Sequence, residues 1–170
     1  MSDATELELT AQELREAHGA ESIIDATFHR NRATLIANPA HVHDVLERLQ
    51  AKGYKFLASL HGCDYYPEEP RLGILYELLD MDRVDRVSVK ARVHTEDARI
   101  SSVIDLFPGA DYPEREVYDM FGVVFEGHPD LRRILMPEDY EDFPQRRDFP
   151  LGGEPVLFTH NEERSYGKWQ

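Results

Sequence analysis

The chain has 170 residues, 41% of them hydrophobic and 31% charged, and its formal net charge is −14. This length is sufficient for one domain with its own core, and we expect one domain followed by a tail. The acidic charge argues against nucleic acid or anionic lipid as a partner, because both attract clustered lysine and arginine. A single cysteine, Cys63, excludes an intrachain disulfide and is too few for an iron–sulfur cluster or a structural zinc site.

Nothing in the sequence predicts direct insertion into a membrane. No apolar run reaches about 20 residues, the length of a membrane-spanning helix. The first residues, Met-Ser-Asp-Ala-Thr-Glu, are acidic and lack the basic and apolar regions of a signal peptide. We therefore expect a soluble chain.

The first elements along the chain are a helix and a hairpin. Thr10-Ala-Gln-Glu13 has the form of a capping box, which predicts that a helix starts there, and Gly19 can end it. Residues 21–28 and 32–37 are rich in isoleucine, threonine and phenylalanine and are separated by a polar stretch, which favours a β-hairpin.

Two further helices enclose three strands in the predicted order. Residues 38–53 begin with Asn-Pro, carry apolar residues at helical spacing and end with glycine, so they predict a helix. Residues 54–62 and 87–93 alternate apolar and polar side chains, whereas residues 72–79 are apolar on both faces and predict a central strand. Residues 97–107 have apolar residues spaced for a helix, which the following Pro-Gly would break.

This order predicts an α+β domain, because hairpins outnumber β-α-β units. We expect a mixed, mostly antiparallel sheet with helices packed on it, then short helices and an extended C-terminal arm. The predicted boundaries are residues 1–111 for the core domain, 112–136 for the short helices and 137–170 for the arm.

Residues 112–150 combine charged, aromatic, glycine and proline residues more densely than the rest of the chain. Pro113 suits the first turn of a helix, and Gly122 suits a left-handed residue at its end. Arg115 and Asp119 are four residues apart and could pair along one face of that helix.

A second short helix is predicted after the turn at residues 127–130. Its apolar face would comprise Leu131, Ile134 and Leu135, and Pro137 would end it. Prolines beyond this point predict extended backbone, because they disfavour helix in the residues before them.

Three other groups of side chains could bind a metal ion, but each has a simpler interpretation. His41 and His43 are two residues apart and point in different directions on a helix, so we interpret them as surface histidines. His61, Cys63 and Asp64 are potential metal ligands, but no second set of ligands lies nearby in the sequence, so we interpret this segment as a turn at the end of a strand. Asp80 and Asp82 are followed by arginines, which favours a salt-bridged loop.

Acid/base catalysis is the other chemistry that the sequence leaves open. Glu114, Glu116, Asp119 and His128 could together form the site of a stand-alone hydrolase. Neither a nucleophile motif nor a phosphate-binding glycine-rich loop is present to support a different reaction.

The segment Glu-Arg-Glu-Val-Tyr-Asp-Met-Phe-Gly-Val-Val-Phe-Glu-Gly-His-Pro-Asp-Leu-Arg-Arg-Ile-Leu at residues 114–135 closely resembles the signature of a known family. This family is the thirty-kilodalton subunit of respiratory complex I, the proton-pumping NADH:quinone oxidoreductase that bacteria also possess. The continuations Pro-Glu-Asp-Tyr and Arg-Arg-Asp-Phe-Pro-Leu resemble the family as well. Tyr112 stands where many members carry tryptophan.

The resemblance implies a subunit without a redox centre or catalytic residue of its own. Partner subunits would hold the FMN, the iron–sulfur clusters and the quinone. The expected neighbours are the quinone-site subunit, which is similar to a hydrogenase large subunit, and the subunit with the terminal cluster. The chain would lie at the cytoplasmic face of the cell membrane, attached through the complex.

The resemblance also implies that residues 112–150 dock on these partners through apolar contacts and paired arginines. A related membrane-bound hydrogenase, or a deazaflavin- or ferredoxin-fed complex, remains an alternative assembly. The residues expected at the interface are Glu114, Arg115, Glu116, Asp119, Phe121, Gly122, Phe125, Gly127, His128, Leu131, Arg132, Arg133, Arg146 and Arg147.

Overall fold

A five-stranded sheet with helices on one face forms the body of the protein in the computed structural model, which describes residues 4–150. The helices are α1 (Ala4–His18), α2 (Val42–Ala51) and α3 (Asp111–Phe121). The strands are β1 (Ile23–His29), β2 (Arg32–Ala37), β3 (Phe56–Asp64), β4 (Leu72–Asp80), β5 (Asp85–Val93), β6 (Arg99–Ser101) and β7 (Val124–Glu126). The α+β class is confirmed.

The strand order of the large sheet is β1-β2-β5-β4-β3. The pairs β1–β2, β3–β4 and β4–β5 are antiparallel, and β2–β5 is parallel, so the sheet is mixed and mostly antiparallel as predicted. Strands β6 and β7 form a separate parallel pair. The predicted hairpin and the three predicted strands are present, with bounds shifted by a few residues.

The core lies between the sheet and the helices. Alternate residues of β4 and β5, including Ile74, Tyr76 and Val89, point toward the helices and are fully buried. α2 contributes the apolar stripe predicted from its spacing, with Val45 and Leu49 fully buried. Burial of these side chains is the main term that stabilises the sheet–helix arrangement.

The predicted start of the first helix is wrong. α1 already includes residue 4, and Thr10 lies buried in its interior instead of capping it. Glu13 does not reach back to the helix start, because it pairs with Arg48 of α2 and with Lys52, which follows α2 directly. The end of the helix at Gly19, which has a φ of 101°, is as predicted.

The predicted helix at residues 97–107 is also wrong. Ile100 lies in β6 and pairs with Phe125 of β7, and a turn follows at residues 104–106. Ile100, Val103 and Phe107 are nevertheless buried. The spacing of the apolar residues therefore predicted correctly which side chains are buried, but it predicted the wrong secondary structure. The partner strand is too distant in sequence for a local pattern to reveal it.

The second short helix, expected after residue 130, is replaced by irregular backbone. Residues 137–150 likewise contain turns and bends without a helix or strand, where the sequence predicts an extended arm. The rest of the predicted arm, residues 151–170, lies outside the described residues. Within residues 4–150, no helix is both long enough and apolar enough to span a bilayer.

Candidate functional site

Helix α3 is the framework of the signature segment. It starts at Asp111, after a 3₁₀ turn at Pro108–Ala110, and Pro113 lies in its first turn. Gly122 ends it in the left-handed conformation (φ 76°) and donates its N–H to the Tyr118 carbonyl oxygen, as the sequence predicts. A Cβ atom at Gly122 would lie 2.6 Å from the Phe143 ring, so the glycine also admits a close contact with the arm.

Glu114 points into the domain and is completely buried. Its carboxylate accepts hydrogen bonds from the Ser102 hydroxyl (2.7 Å) and the Val103 N–H (2.8 Å). Burial raises the pKa of Glu114, and these two hydrogen bonds oppose that shift only in part. The side chain therefore attaches α3 to the chain that leads out of β6.

Asp119 does not pair with Arg115, which corrects the prediction. It is completely buried and accepts hydrogen bonds from Arg133 Nη1 (2.7 Å) and from the backbone N–H groups of Ile134, Leu135 and Met136 (3.0, 2.7 and 2.8 Å).

Burial alone would raise the pKa of Asp119, but these four donors hold it below its ordinary value. The three N–H groups would make backbone hydrogen bonds in a helix. Here a single carboxylate binds them, which explains why residues 131–136 are folded without being helical.

Arg115 and His128 also make hydrogen bonds within the segment. Arg115 donates to the carbonyl oxygens of Arg132 and Arg133 (3.2 and 3.3 Å). His128 Nδ1 lies 3.0 Å from the N–H of Asp130 and accepts from it. Its Nε2 lies 3.2 Å from the Asp111 carbonyl oxygen and donates to that oxygen.

The remaining arginines of the predicted interface differ in exposure. Arg133 is mostly buried and, besides Asp119, contacts the rings of Tyr140 and Phe143. Arg146 donates to the Phe121 carbonyl oxygen (2.7 Å) at the end of α3 and stacks on Phe143. Arg132 is exposed and forms a two-bond pair with Asp130.

An ion-pair network that no sequence pattern predicts fixes the end of the described arm. Arg71 pairs through two 2.7 Å hydrogen bonds with Asp64 and also pairs with Asp148. Asp64 accepts the backbone N–H of Arg147 as well (2.7 Å). The Arg71 guanidinium, aided by that N–H, lowers the pKa of Asp64 to about 2.

Arg71 and Asp148 are 77 positions apart in the sequence, and Asp64 and Arg147 are 83 apart. Residue spacing therefore could not predict that these pairs are in contact. Residues 147 and 148 are thus attached to the end of β3 and to Arg71, which precedes β4. The end of the described arm therefore makes its ionic contacts within this chain.

The apolar residues of the predicted interface divide into a buried and an exposed group. Phe121 and Phe125 are 7% and 2% exposed and belong to the core, and Leu131 packs against it. Tyr112 and Leu135 are 64% and 62% exposed. A partner could contact these two side chains, together with the exposed Glu116, without changing the fold.

The four residues proposed for a hydrolase do not converge. Glu114 faces Ser102, and Asp119 faces residues 133–136 on a different side of α3. Glu116 is exposed, and His128 makes its hydrogen bonds to backbone groups. The arrangement builds a folded surface segment and offers no shared position for a reacting group.

The other candidate clusters have structural roles. Asp80 accepts from the side chain and the N–H of Arg83, so the prediction of a salt-bridged loop is confirmed. His43 bonds to Asp105 (2.9 Å), and its ligand atoms lie within 4.8 Å of those of Asp44 and Glu47. That group is open to solvent, and exposed acidic groups of this kind are common without an ion.

Comparison with known proteins identifies the family of this segment. Residues 35–155 match the family described as "Respiratory-chain NADH dehydrogenase, 30 Kd subunit". The chain belongs to this family. The match contains α3, the Asp119 cluster and the described arm, so the geometry above is that of the signature segment of a complex I thirty-kilodalton subunit.

Curated relatives in bacteria are named as a subunit of NADH-quinone oxidoreductase. The protein of Saccharopolyspora erythraea is 43% identical over 147 residues, which are 84% of this chain and 59% of that protein. The protein of Roseiflexus castenholzii is 41% identical over 149 residues, 86% of each chain. The chain therefore spans less than two thirds of some relatives and most of others.

Two solved structures share the fold. One is a trypsin-resistant fragment of Nqo5, with a TM-score of 0.64 and 32% identity, covering 74% of this chain and 98% of that one. The other belongs to the membrane-bound sulfane sulfur reductase, an archaeal respiratory membrane complex, with a TM-score of 0.69 and 25% identity over 85% of each chain.

Proposed function

We propose that this chain is a structural subunit in the peripheral arm of a proton-translocating NADH:quinone oxidoreductase. In that enzyme electrons would pass from NADH through FMN and iron–sulfur clusters to quinone, all bound by other subunits. The chain would dock on the quinone-site subunit and on the terminal-cluster subunit, at the cytoplasmic face of the membrane. The 43% identity to an NADH-quinone oxidoreductase subunit over most of the chain is the observation that carries this proposal.

The geometry of the signature segment supports a docking role. Its two most buried carboxylates, on Glu114 and Asp119, hold backbone in place through short hydrogen bonds. This leaves a folded segment whose outer surface includes Tyr112, Leu135 and the Arg132–Asp130 pair. A preorganised surface loses less conformational entropy on association than a flexible one, which favours stable docking.

The similarity to part of an archaeal sulfane sulfur reductase supports a second candidate. The same chain could serve in a related respiratory membrane complex with another electron donor or acceptor. Identity is lower in that comparison, 25% against 43%, so NADH:quinone oxidoreductase is the better supported assembly.

Isolation of the intact assembly tests the proposal. The tagged chain is purified from membranes of its source cells in mild detergent, and the complex is assayed for NADH-reducible flavin and for quinone reduction. We expect both. Nickel with hydrogen evolution would support a hydrogenase, sulfane sulfur reduction would support the second candidate, and a chain recovered alone would contradict both.

Variants separate a structural from a catalytic role. Arg115→Glu removes the hydrogen bonds to two carbonyl oxygens of the segment, and we expect less assembled complex with unchanged turnover per complex. Arg32→Glu makes the same charge reversal at an exposed position outside the segment and serves as the control. Normal assembly with abolished turnover in Arg115→Glu would show that the segment takes part in the reaction.

A further inference from the structure

The outer face of the large sheet lies opposite the helices. In the register of the antiparallel pairs, His61, Leu75 and Lys90 form one row across this face, and Cys63, Gly73 and Arg92 form the next. α3 contacts β3 through the inner face, where a Cβ at Gly62 would meet the Phe121 ring. Within residues 4–150, no helix packs on the outer face.

Apolar side chains on this face are only partly covered. Leu75 and Leu79 of β4 and Ile36 of β2 are half-buried, and Phe56 of β3 is 52% exposed. An antiparallel sheet commonly has one solvated face, and that face is normally polar. The apolar residues here indicate a surface that another protein covers.

Two cations are held in fixed positions beside these apolar residues. The Tyr65 ring lies over Gly73, where a Cβ would be only 2.5 Å from it. Lys90 Nζ lies 3.9 Å and Arg92 Cζ 4.5 Å from the centre of that ring. The tyrosine ring therefore orients both side chains, which would otherwise move freely in water.

Neither cation forms an ion pair with another described residue. Glu77, the acidic residue of β4 on the same face, accepts a hydrogen bond from Ser88 (2.7 Å). Arg92 donates through Nη2 to the Glu68 carbonyl oxygen (3.3 Å), whereas its buried Nε has no hydrogen-bond partner among residues 4–150. Burial also lowers the pKa of Lys90, a shift that a nearby carboxylate would reverse.

We propose that the outer sheet face docks a segment of a partner subunit that presents a carboxylate to Lys90 and Arg92. Apolar side chains of the same segment contact Leu75 and Ile36. The charge of this pair is opposite to the net charge of the chain, −14, so it selects an acidic partner group that the rest of the surface would repel. This inference rests on the proposed function, because it requires an assembly that supplies the partner.

Photo-crosslinking in the assembled complex tests the docking. The crosslinking amino acid benzoylphenylalanine replaces His61, which is exposed and shares a row with Leu75 and Lys90. In a separate variant, the same crosslinking amino acid replaces Leu135 in the signature segment. We expect position 61 to give an adduct with another subunit of the complex.

The two positions distinguish the failure of this inference from failure of the proposed function. An adduct from position 135 without one from 61, or an adduct of 61 with a second copy of this chain, overturns the sheet-face proposal alone. A chain that enters no complex and gives no adduct from either position overturns the proposed function as well.

Charge variants test the predicted carboxylate. Lys90→Met keeps an apolar stem and removes the charge, whereas Lys90→Glu reverses it. We expect retention of the chain in the complex at 0.15 M salt to fall about tenfold for Lys90→Glu and less for Lys90→Met. Equal retention of both variants and the unchanged chain refutes the ionic contact.

The single cysteine gives a measurement that needs no substitution. Cys63 lies on the same face, beside Gly73, and is partly exposed. Its alkylation by iodoacetamide, measured by mass spectrometry of the peptide, should be at least about tenfold slower in the complex than in the isolated chain. Equal rates in both states overturn the proposal.

Discussion

Replacement of Asp119 by asparagine is the most informative perturbation of the signature segment. Asparagine keeps the size of the side chain and one acceptor oxygen. It removes the negative charge opposite Arg133 and places an NH₂ group among backbone N–H donors at 2.7–3.0 Å. Because Asp119 is fully buried, solvent cannot replace what is lost.

The expected loss is large compared with the stability of a domain. Removing one partner of a buried ion pair costs about 3–5 kcal/mol, and each hydrogen bond to a charged group contributes about 1.5–3 kcal/mol. Asparagine retains part of the bonding, so we expect Asp119→Asn to lower the free energy of unfolding by about 3 kcal/mol. A domain of this size has about 5–15 kcal/mol in total.

Urea unfolding of the purified chain, followed by far-ultraviolet circular dichroism, measures this loss. A change of about 3 kcal/mol moves the midpoint by about 1–2 M urea. Glu116→Gln makes the same chemical change three residues earlier at an exposed position and should stay within about 0.5 kcal/mol of the unchanged chain.

A double variant identifies the source of the effect. If Asp119 and Arg133 act together, Asp119→Asn combined with Arg133→Met should lose clearly less than the sum of the single losses. Additive losses would mean that the two side chains are not coupled. A loss for Asp119→Asn no greater than that of Glu116→Gln would refute the reasoning altogether.

Three further predictions concern the end of α3 and the arm. Gly122→Ala should destabilise by more than about 1 kcal/mol, because of its φ of 76° and the contact with Phe143; Gly109→Ala, in open space, is the control in the same unfolding assay. The pKa of Asp64 falls on folding from 3.8 to about 2, so its contribution of about 2 kcal/mol is present above pH 4 and is lost as pH falls toward 2. Asp64→Asn should flatten the stability–pH curve in that window, and an unchanged curve would contradict the ion-pair assignment. Asp148→Asn should increase tryptic cleavage at Arg146 and Arg147 without lowering global stability by more than about 1 kcal/mol, because its carboxylate is half-exposed; unchanged cleavage would show that the Arg71 pair does not hold the arm.

The local sequence was sufficient for most of the regular elements. Asn38 and Pro39 start a 3₁₀ turn (Pro39–His41) that leads into α2, and Gly53 follows the end of that helix. These features, the alternation of β5 and the left-handed Gly122 each reflect a rule that acts within a few residues. The family signature at residues 114–135 was equally visible, because its charged and glycine residues occur in an unusual fixed order.

Only the tertiary structure decided how that signature is used. Asp119 was expected to pair four residues away with Arg115, but it binds backbone and Arg133 14–17 residues away. The apolar pattern near Ile100 marked burial correctly, yet β6 formed because a partner strand, β7, lies alongside it. Arg71 pairs with Asp64, 7 residues before it, and with Asp148, 77 residues after it. In each case interacting groups lie far apart in the sequence, so only the folded chain brings them together. A buried charge or an unpaired strand then requires such a partner, because leaving its hydrogen-bonding groups unsatisfied would destabilise the fold.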